Sequence, residues 1–268
     1  MKYKIVIFLF FFNCIYLKTV AGCCASGYLT IYPNTTLVSS NTAFLIEFQE
    51  GYFKVKDIIP KLLFTAINQK GISYNLLILE TNFSGSDGQI LLKSKQNINI
   101  NDTISIKVSF LNTDTLNEEL TSFQNIVNMK KWIVVYKKDN QKPKWINDTT
   151  KYTTDDSRQS SAPGYSVIIY PKTNEKTKQF RNNKDISELS LQMYYKVFFN
   201  NQEFICPAIN GSFYISYSIC GSNFSFDLNK DYIANLQAID ASGNYSKKLK
   251  LVKFKTTTKE EQPIMIDY

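Results

Sequence analysis

The sequence predicts an all-β fold, with two antiparallel β-sandwich domains in tandem after a signal peptide. Three observations lead to this prediction. Residues that favour strands are abundant, including 17 Tyr and 19 Phe among 268 residues. Apolar and polar residues alternate in many short segments that are separated by turn residues. These segments fall into two blocks of similar length, which is typical of two sandwiches.

The first 22 residues have the composition of a signal peptide. A basic start, MKYK, precedes an apolar run that is too short to span a bilayer comfortably, and Val20, Ala21 and Gly22 supply small residues before Cys23. Val-Ala-Gly-Cys resembles the lipobox of bacterial lipoproteins. This resemblance implies that Cys23 becomes the lipidated first residue of the mature chain. Cleavage by the ordinary secretory peptidase and an uncleaved anchor are the alternatives.

Export decides the expected location and redox state of the chain. We expect it in the cell envelope, anchored by lipid to the outer membrane on its periplasmic or surface face, with simple secretion as the alternative. Because such compartments are oxidising, Cys206 and Cys220 are predicted to form a disulfide across the loop between them. That bond would stabilise the fold by about 3 kcal/mol. Two unpaired thiols in strands are the alternative.

Residues 23–138 are predicted to form the first sandwich. In 104–110, apolar residues alternate strictly with polar ones, so one face of this strand should be buried and the other solvated. Segment 115–128 places apolar residues at helical spacing and predicts a short surface helix. Further strands are expected at 28–48 (strand, turn, strand), 72–80, 89–94 and 130–138. One face of the second strand in 28–48 should carry Phe44, Ile46 and Phe48.

Residues 139–258 are predicted to form the second sandwich, and 259–268 a tail. The charged, proline-containing segment 137–145 suits a domain boundary. Segment 147–164 has almost no large apolar residue and predicts a long loop or a weak edge strand. The remaining strands are expected at 165–171, 189–199, 203–207, 213–220, 231–240 and 248–254, with hairpin turns at 210–211 and 242–244.

Two stretches resemble known families. Segments 33–48 and 89–108 are similar to the bacterial Ig-like domain of S-layer and surface proteins. Segment 227–254 resembles the last two strands of fibronectin-III or Ig-like modules, with Leu228 and Tyr232 at the positions of the tyrosine corner. These resemblances imply that both sandwiches are Ig-like. Together with the N-terminus, the whole resembles a lipoprotein of a Bacteroidetes-type bacterium.

The residue inventory argues against catalysis. The chain contains no histidine, which excludes Ser-His-Asp and Cys-His systems and histidine-ligated metals. No phosphate-binding loop or nucleophile elbow is present. The adjacent carboxylates lie in a predicted loop, a helix surface and the tail: Asp155-Asp156, Glu118-Glu119 and Glu260-Glu261. We therefore expect no enzyme activity, no catalytic residue, no cofactor and no metal.

The functional prediction follows from these expectations. We predict a non-catalytic, membrane-anchored surface or periplasmic protein with an adhesion, assembly or spacer role. Its partners would be the membrane, through the N-terminal lipid, and a protein or glycan that the sequence does not identify. The net charge of +8 is spread over scattered lysines, so nucleic acid is not expected. The alternative is a carbohydrate-binding accessory lipoprotein of a glycan-uptake system, in which outward aromatics such as Tyr214 would stack on sugars.

Overall fold

The computed structural model describes most of the chain between residues 28 and 256. Within the described residues, the fold consists of strands, one α-helix and one 3₁₀ turn, so the predicted all-β class is confirmed. The predicted signal peptide, Cys23, Cys220 and the tail lie outside these residues. The described ranges are 28–49, 55–84, 87–110, 118–146, 150–156, 164–174, 178–182, 185–189, 192–218, 224, 227 and 229–256.

The N-terminal half, as we call the part before residue 137, forms one eight-stranded sheet. Its strands are β1 (Leu29–Tyr32), β2 (Leu37–Ser39), β3 (Ala43–Gln49), β4 (Leu62–Asn68), β5 (Ser73–Ser84), β6 (Asp87–Ser94), β7 (Thr103–Phe110) and β8 (Lys131–Tyr136). They run in the order β1-β3-β6-β5-β4-β7-β8-β2, and the pairs are antiparallel except for β2 with β8. The 3₁₀ turn covers Ile59–Lys61, and helix α1 covers Glu118–Met129.

This sheet folds over a single core. Phe44 on β3 and Trp132 on β8 are far apart in the strand order, yet their ring centroids are 4.9 Å apart. Both side chains are fully buried in one apolar cluster. Two opposite parts of the sheet therefore pack face to face, which gives a sandwich-like unit.

Helix α1 contributes to that core. The helix was expected at 115–128, and the structure places it at Glu118–Met129. Phe123 and Val127 are fully buried, and the Phe123 ring lies edge-on to Phe48 at 5.7 Å. The helix therefore covers the core with its apolar side, whereas the expectation was a surface helix within a loop. Of the helices in the described residues, none combines the length and the apolar character needed to cross a membrane.

The C-terminal half, from residue 151 onward, is a sandwich of two antiparallel sheets. Its strands are β9 (Lys151–Asp156), β10 (Gly164–Tyr170), β11 (Lys178–Asn182), β12 (Asp185–Leu189), β13 (Tyr194–Phe199), β14 (Gln202–Pro207), β15 (Phe213–Ser218), β16 (Asp231–Ile239) and β17 (Lys250–Lys255). One sheet has the order β15-β10-β9 and the other β14-β13-β16-β17. Tyr195 on β13 stacks on Phe213 of β15 with 4.9 Å between the ring centroids, so the sheets pack against each other.

Several local expectations can be compared with this half. Part of 147–164 forms the edge strand β9, and the hairpin β11-β12 was not anticipated.

The backbone N–H of Asp227 donates to the Tyr232 hydroxyl at 2.6 Å, which is the contact expected of a tyrosine corner. Asn210 and Gly211 have φ values of 52° and 80°, as an Asn-Gly turn requires. This turn carries the chain from β14 in one sheet to β15 in the other, so it does not close a hairpin within one sheet.

Candidate functional site

Of the three cysteines predicted as site residues, Cys206 is the one whose side chain the structure describes. It lies on β14 within the core of the C-terminal half, and it is a buried free thiol. The predicted disulfide is therefore not formed in this structure. Since Cys220 and Cys23 lie outside the described residues, the pairing and the lipidation both stay predictions. Burial, with the charge of Glu47, raises the pKa of the Cys206 thiol, so this sulfur is a poor nucleophile.

The two halves meet at a contact that combines buried apolar side chains with hydrogen bonds and an ion pair, and we call this contact the joint. Its apolar part is a buried cluster to which both halves contribute. Leu45 on β3 belongs to this cluster, while Phe44 beside it belongs to the core of the N-terminal half. Strand β3 is therefore buried on both faces. The apolar members of the joint are Tyr32, Ala43, Leu45, Leu91, Tyr194, Ile205 and Ile239.

Gln89 is the central polar residue of the joint. Its side chain is fully buried, its Nε2 donates to the carbonyl of Ile205 at 2.5 Å, and its Oε1 accepts the Ile205 N–H at 2.8 Å. Strand β14, which carries Ile205, is the edge of its sheet. The amide of Gln89 thus satisfies both backbone groups of this residue, as a neighbouring strand would. The same Nε2 donates to Glu47 Oε1 at 2.6 Å.

Glu47 is half-buried at the joint, and its pKa is shifted towards neutrality. Burial raises its pKa to about 7, although hydrogen bonds from Gln89 and Tyr32 act in the opposite direction. The negative charge of Asp87 adds to the increase. The carboxyl group is therefore partly protonated at neutral pH.

A second polar contact of the joint is an ion-pair group centred on Lys196. Its Nζ lies 2.9 Å from Glu80 Oε2, across the two halves, and 2.5 Å from Glu203 Oε1. The Tyr245 hydroxyl donates to the other oxygen of Glu80 at 2.5 Å. Burial lowers the pKa of Lys196, but hydrogen bonds to Glu203 and Glu80 outweigh it, so the pKa is raised overall. Lys196 is therefore charged and holds two carboxylates in place.

A third contact is made by the turn at 240–244, which was expected to be an ordinary hairpin turn. The Ala43 N–H donates to the carbonyl of Ala241 at 2.9 Å. The Ser242 hydroxyl is 3.0 Å from the Ser39 hydroxyl and donates to Asn41 Oδ1 at 3.0 Å. Within the turn, Asp240 Oδ1 accepts two backbone N–H groups, each at 2.8 Å. The turn therefore docks the C-terminal half onto β2 and β3.

Sequence reasoning did not find the joint. The signal was present in 43–48, where the apolar residues are too continuous for a strand with one solvated face. Gln89 carried no such signal, because a polar residue at a strand position reads as outward-facing. Only the contact with Ile205 shows its role.

A cavity of about 710 Å³ lies between the connecting segment 141–145 and the loop 246–248. Pro143 and Trp145 form apolar parts of its wall. Lysines also line it, and no acidic residue is among those that do. The lysines are Lys142, Lys144, Lys247 and Lys248. The segment expected to be a polar domain boundary is therefore one wall of a concave basic site.

Comparisons with known proteins give no family. No family model matches the chain, and no curated protein matches it. Among solved structures, it is similar to a pullulanase from Anoxybacillus sp. LM18-11, with 8% identity and a TM-score of 0.24 over 85% of this chain and 25% of that one. The chain thus spans about a quarter of that enzyme.

Two other solved structures are similar at the same distant level. The Yersinia pseudotuberculosis adhesin InvE gives 12% identity and a TM-score of 0.22, over 85% of this chain and 58% of that one. The N-terminal part of the bacterial S-layer protein SbsC gives 7% and 0.24, over 87% and 44%. At such TM-scores these similarities support no functional argument, so function has to be argued from the chain's own residues.

Proposed function

We propose that this chain is a non-catalytic, membrane-anchored surface or periplasmic protein, in which two halves held in one orientation serve adhesion, assembly or spacing. The joint carries this proposal. Domains within one chain usually move relative to each other unless the interface between them is large and apolar. Here the buried cluster is supplemented by directional bonds from Gln89 to Ile205 and from Ser242 to Asn41. Such bonds favour one relative orientation.

Two buried carboxylates, Asp102 and Asp240, and the half-buried Glu80 support a structural role. Asp102 accepts hydrogen bonds from Asn68 Nδ2 at 2.8 Å and from the Tyr74 hydroxyl at 2.9 Å. Asp240 shapes the docking turn, and Glu80 pairs with Lys196. Each of these carboxylates binds a partner that holds strands or turns together. In a glycosidase, by contrast, two carboxylates face the substrate in a cleft.

The anchor is part of the proposal and rests on the sequence. Five residues lie between Cys23 and Leu29, where β1 begins, so the two Cα atoms can be at most about 22 Å apart in any conformation. A lipid on Cys23 would therefore hold the N-terminal half close to the bilayer. The rigid joint would then fix how far the C-terminal half projects from it.

The orientation can be tested by single-molecule energy transfer. Fluorophores are placed through non-canonical amino acids at Lys107 and Ile233, which are exposed on the two halves. We expect one narrow distribution of transfer efficiency, which broadens in Gln89→Ala. A broad distribution in the unaltered chain would contradict the proposal. Mass spectrometry of the N-terminus tests the anchor, and a free amino group without lipid there would remove it.

A second candidate function is binding of carbohydrate, and one observation favours it. Tyr170 and Tyr214 are 41% and 44% exposed on the outer face of the three-stranded sheet. Ile168 pairs with Tyr214, so Tyr170 is the diagonal neighbour of Tyr214, about 7 Å away. Two exposed rings on one face offer a surface on which sugar rings stack.

A glycan array tests this candidate. Tyr214→Ala and Tyr170→Ala should each abolish a signal that the unaltered chain gives with a neutral glycan. Ile233→Ala, an exposed residue on the other sheet, is the matched control and should leave the signal unchanged. Absence of any glycan signal from the unaltered chain would exclude this function.

A further inference from the structure

The cavity beside Trp145 has walls that the backbone holds in place. On one side, the Lys144 N–H donates to Asn174 Oδ1 at 2.7 Å, and the Asn174 N–H donates to the Lys144 carbonyl at 2.9 Å. On the other side, Ser246 is bonded to Ala238 by backbone and hydroxyl contacts. Trp145 Nε1 donates to the carbonyl of Lys248 at 2.9 Å and thereby ties the two walls together. The cavity is therefore pre-formed, as ligand sites usually are.

The charges around the cavity are of one sign. Four lysines line it, and none of them has an ion-pair partner among the described residues. Like charges gathered around one concave surface raise the local concentration of anions. The long, exposed side chains can adjust to the positions of acidic groups on a ligand, while the walls stay fixed. The site therefore suits an anionic ligand.

The wall itself suits a ligand with rings. Trp145 packs against Tyr195 with 5.9 Å between the ring centroids, and part of its indole lines the cavity together with Pro143. Since its Nε1 is already bonded, the indole offers the ligand only its ring surface. Gln141 and Asn174 also line the cavity, and side-chain amides can form hydrogen bonds with hydroxyl groups. Ring surface, amides and cations together match an acidic sugar.

We propose that this cavity binds an acidic oligosaccharide, with a sugar ring against Trp145 and its carboxylate or sulfate groups on the four lysines. The proposal is independent of the joint and of the outward tyrosines. A nucleic acid strand is the other anion with rings, but its sites present successive aromatics along a groove. Trp145 is the one aromatic residue that lines this cavity.

Calorimetric titration of the purified chain tests the proposal. The probes are an oligogalacturonide, a heparin-derived oligosaccharide and neutral maltohexaose, so that carboxylate and sulfate sources are distinguished. We expect at least one acidic probe to bind, with affinity that falls as salt is raised. The neutral probe should bind at least tenfold more weakly, because it makes no ion pair with the four lysines and the loss of even two exposed ion pairs lowers affinity about tenfold. Equal affinity for all three, or no binding of either acidic probe, would overturn the proposal.

Substitutions of residues that line the cavity test whether the acidic probe binds there. Lys247→Gln with Lys248→Gln should weaken the acidic probe about tenfold without changing the melting temperature. The matched control is Lys107→Gln with Lys131→Gln, two exposed lysines of the N-terminal half, which should have no effect. Trp145→Phe should remove the fluorescence change on binding, because Trp132 is fully buried elsewhere. Unchanged affinity in the cavity variants would overturn the proposal, as would tighter binding of a single-stranded oligothymidine than of either acidic sugar.

Discussion

At the scale of single residues, Gln89 and Glu47 show how one buried side chain governs a much larger contact. The side chain of Gln89 makes the two hydrogen bonds to the backbone of Ile205 that a neighbouring strand would make. Glu47 accepts a hydrogen bond from Gln89 and holds its amide in the orientation that these bonds require. Polar groups buried between two packed surfaces cost free energy unless each finds a partner. The two residues are therefore expected to affect stability out of proportion to their size.

The first prediction concerns Gln89. Gln89→Ala leaves the N–H and carbonyl of Ile205 without partners inside the joint, so the free energy of unfolding should fall by about 2–3 kcal/mol. Urea unfolding followed by circular dichroism measures it. Gln96→Ala is the control, since Gln96 is exposed and should change stability by less than about 0.5 kcal/mol. A loss of equal size in the two variants would show that the amide does not bridge the halves.

The second prediction concerns pH. The pKa of Glu47 is about 7 in the folded chain and 4.5 when unperturbed, so the folded state binds its proton more tightly. The stabilisation is fully present below the lower value and is lost as pH rises through the higher one. We expect the melting temperature to fall between about pH 5 and pH 8 by several degrees more than it does in Glu47→Gln. Parallel melting curves in the two proteins would refute this.

At the scale of elements, the turn at 240–244 and helix α1 show that an element's role depends on what it packs against. Both are local features with clear sequence patterns. The turn docks on β3, and the helix buries Phe123 and Val127 in the core. Neither contact follows from the local pattern, because the contacting residues are distant in sequence.

The third prediction compares two glycines. Gly243 and Gly71 both have left-handed backbone angles, with φ of 70° and 81°. A methyl group on Gly243 would lie 3.0 Å from Ala43 Cβ, while one on Gly71 would meet nothing within 4 Å. Both alanine variants lose about 1 kcal/mol from backbone strain. Gly243→Ala should lose about 1 kcal/mol more in urea unfolding because the turn no longer fits against β3. Equal losses would mean that the turn does not press on β3.

At the scale of the whole molecule, two cores are linked by a third cluster. Each half has its own apolar core, and the joint shares residues from both. Strand β3 contributes both to the core of the N-terminal half and to the joint. Disrupting the joint is therefore expected to destabilise that core, and disrupting the core to destabilise the joint. The division of the chain into two domains between residues 138 and 139 remains a prediction. Whether the two halves unfold separately depends on how strongly the joint couples them.

The fourth prediction addresses that coupling. Scanning calorimetry should give one transition whose calorimetric and van't Hoff enthalpies agree, because unfolding of either half exposes the joint. Gln89→Ala combined with Ser242→Ala should separate it into two transitions. Gln96→Ala should keep the single transition. Two well-separated transitions in the unaltered chain would show that the halves are independent.

The sequence by itself determined the class of the fold, the positions of most strands, helix α1 and the tyrosine corner at Tyr232. These features depend on local periodicity and turn chemistry, which are written in consecutive residues. Tertiary structure alone decided which surface covers the second face of β3, that Gln89 completes the edge of β14, and that a boundary segment lines a basic cavity. Each of these depends on which surfaces meet across more than a hundred residues, and side-chain periodicity within one strand carries no information about that partner.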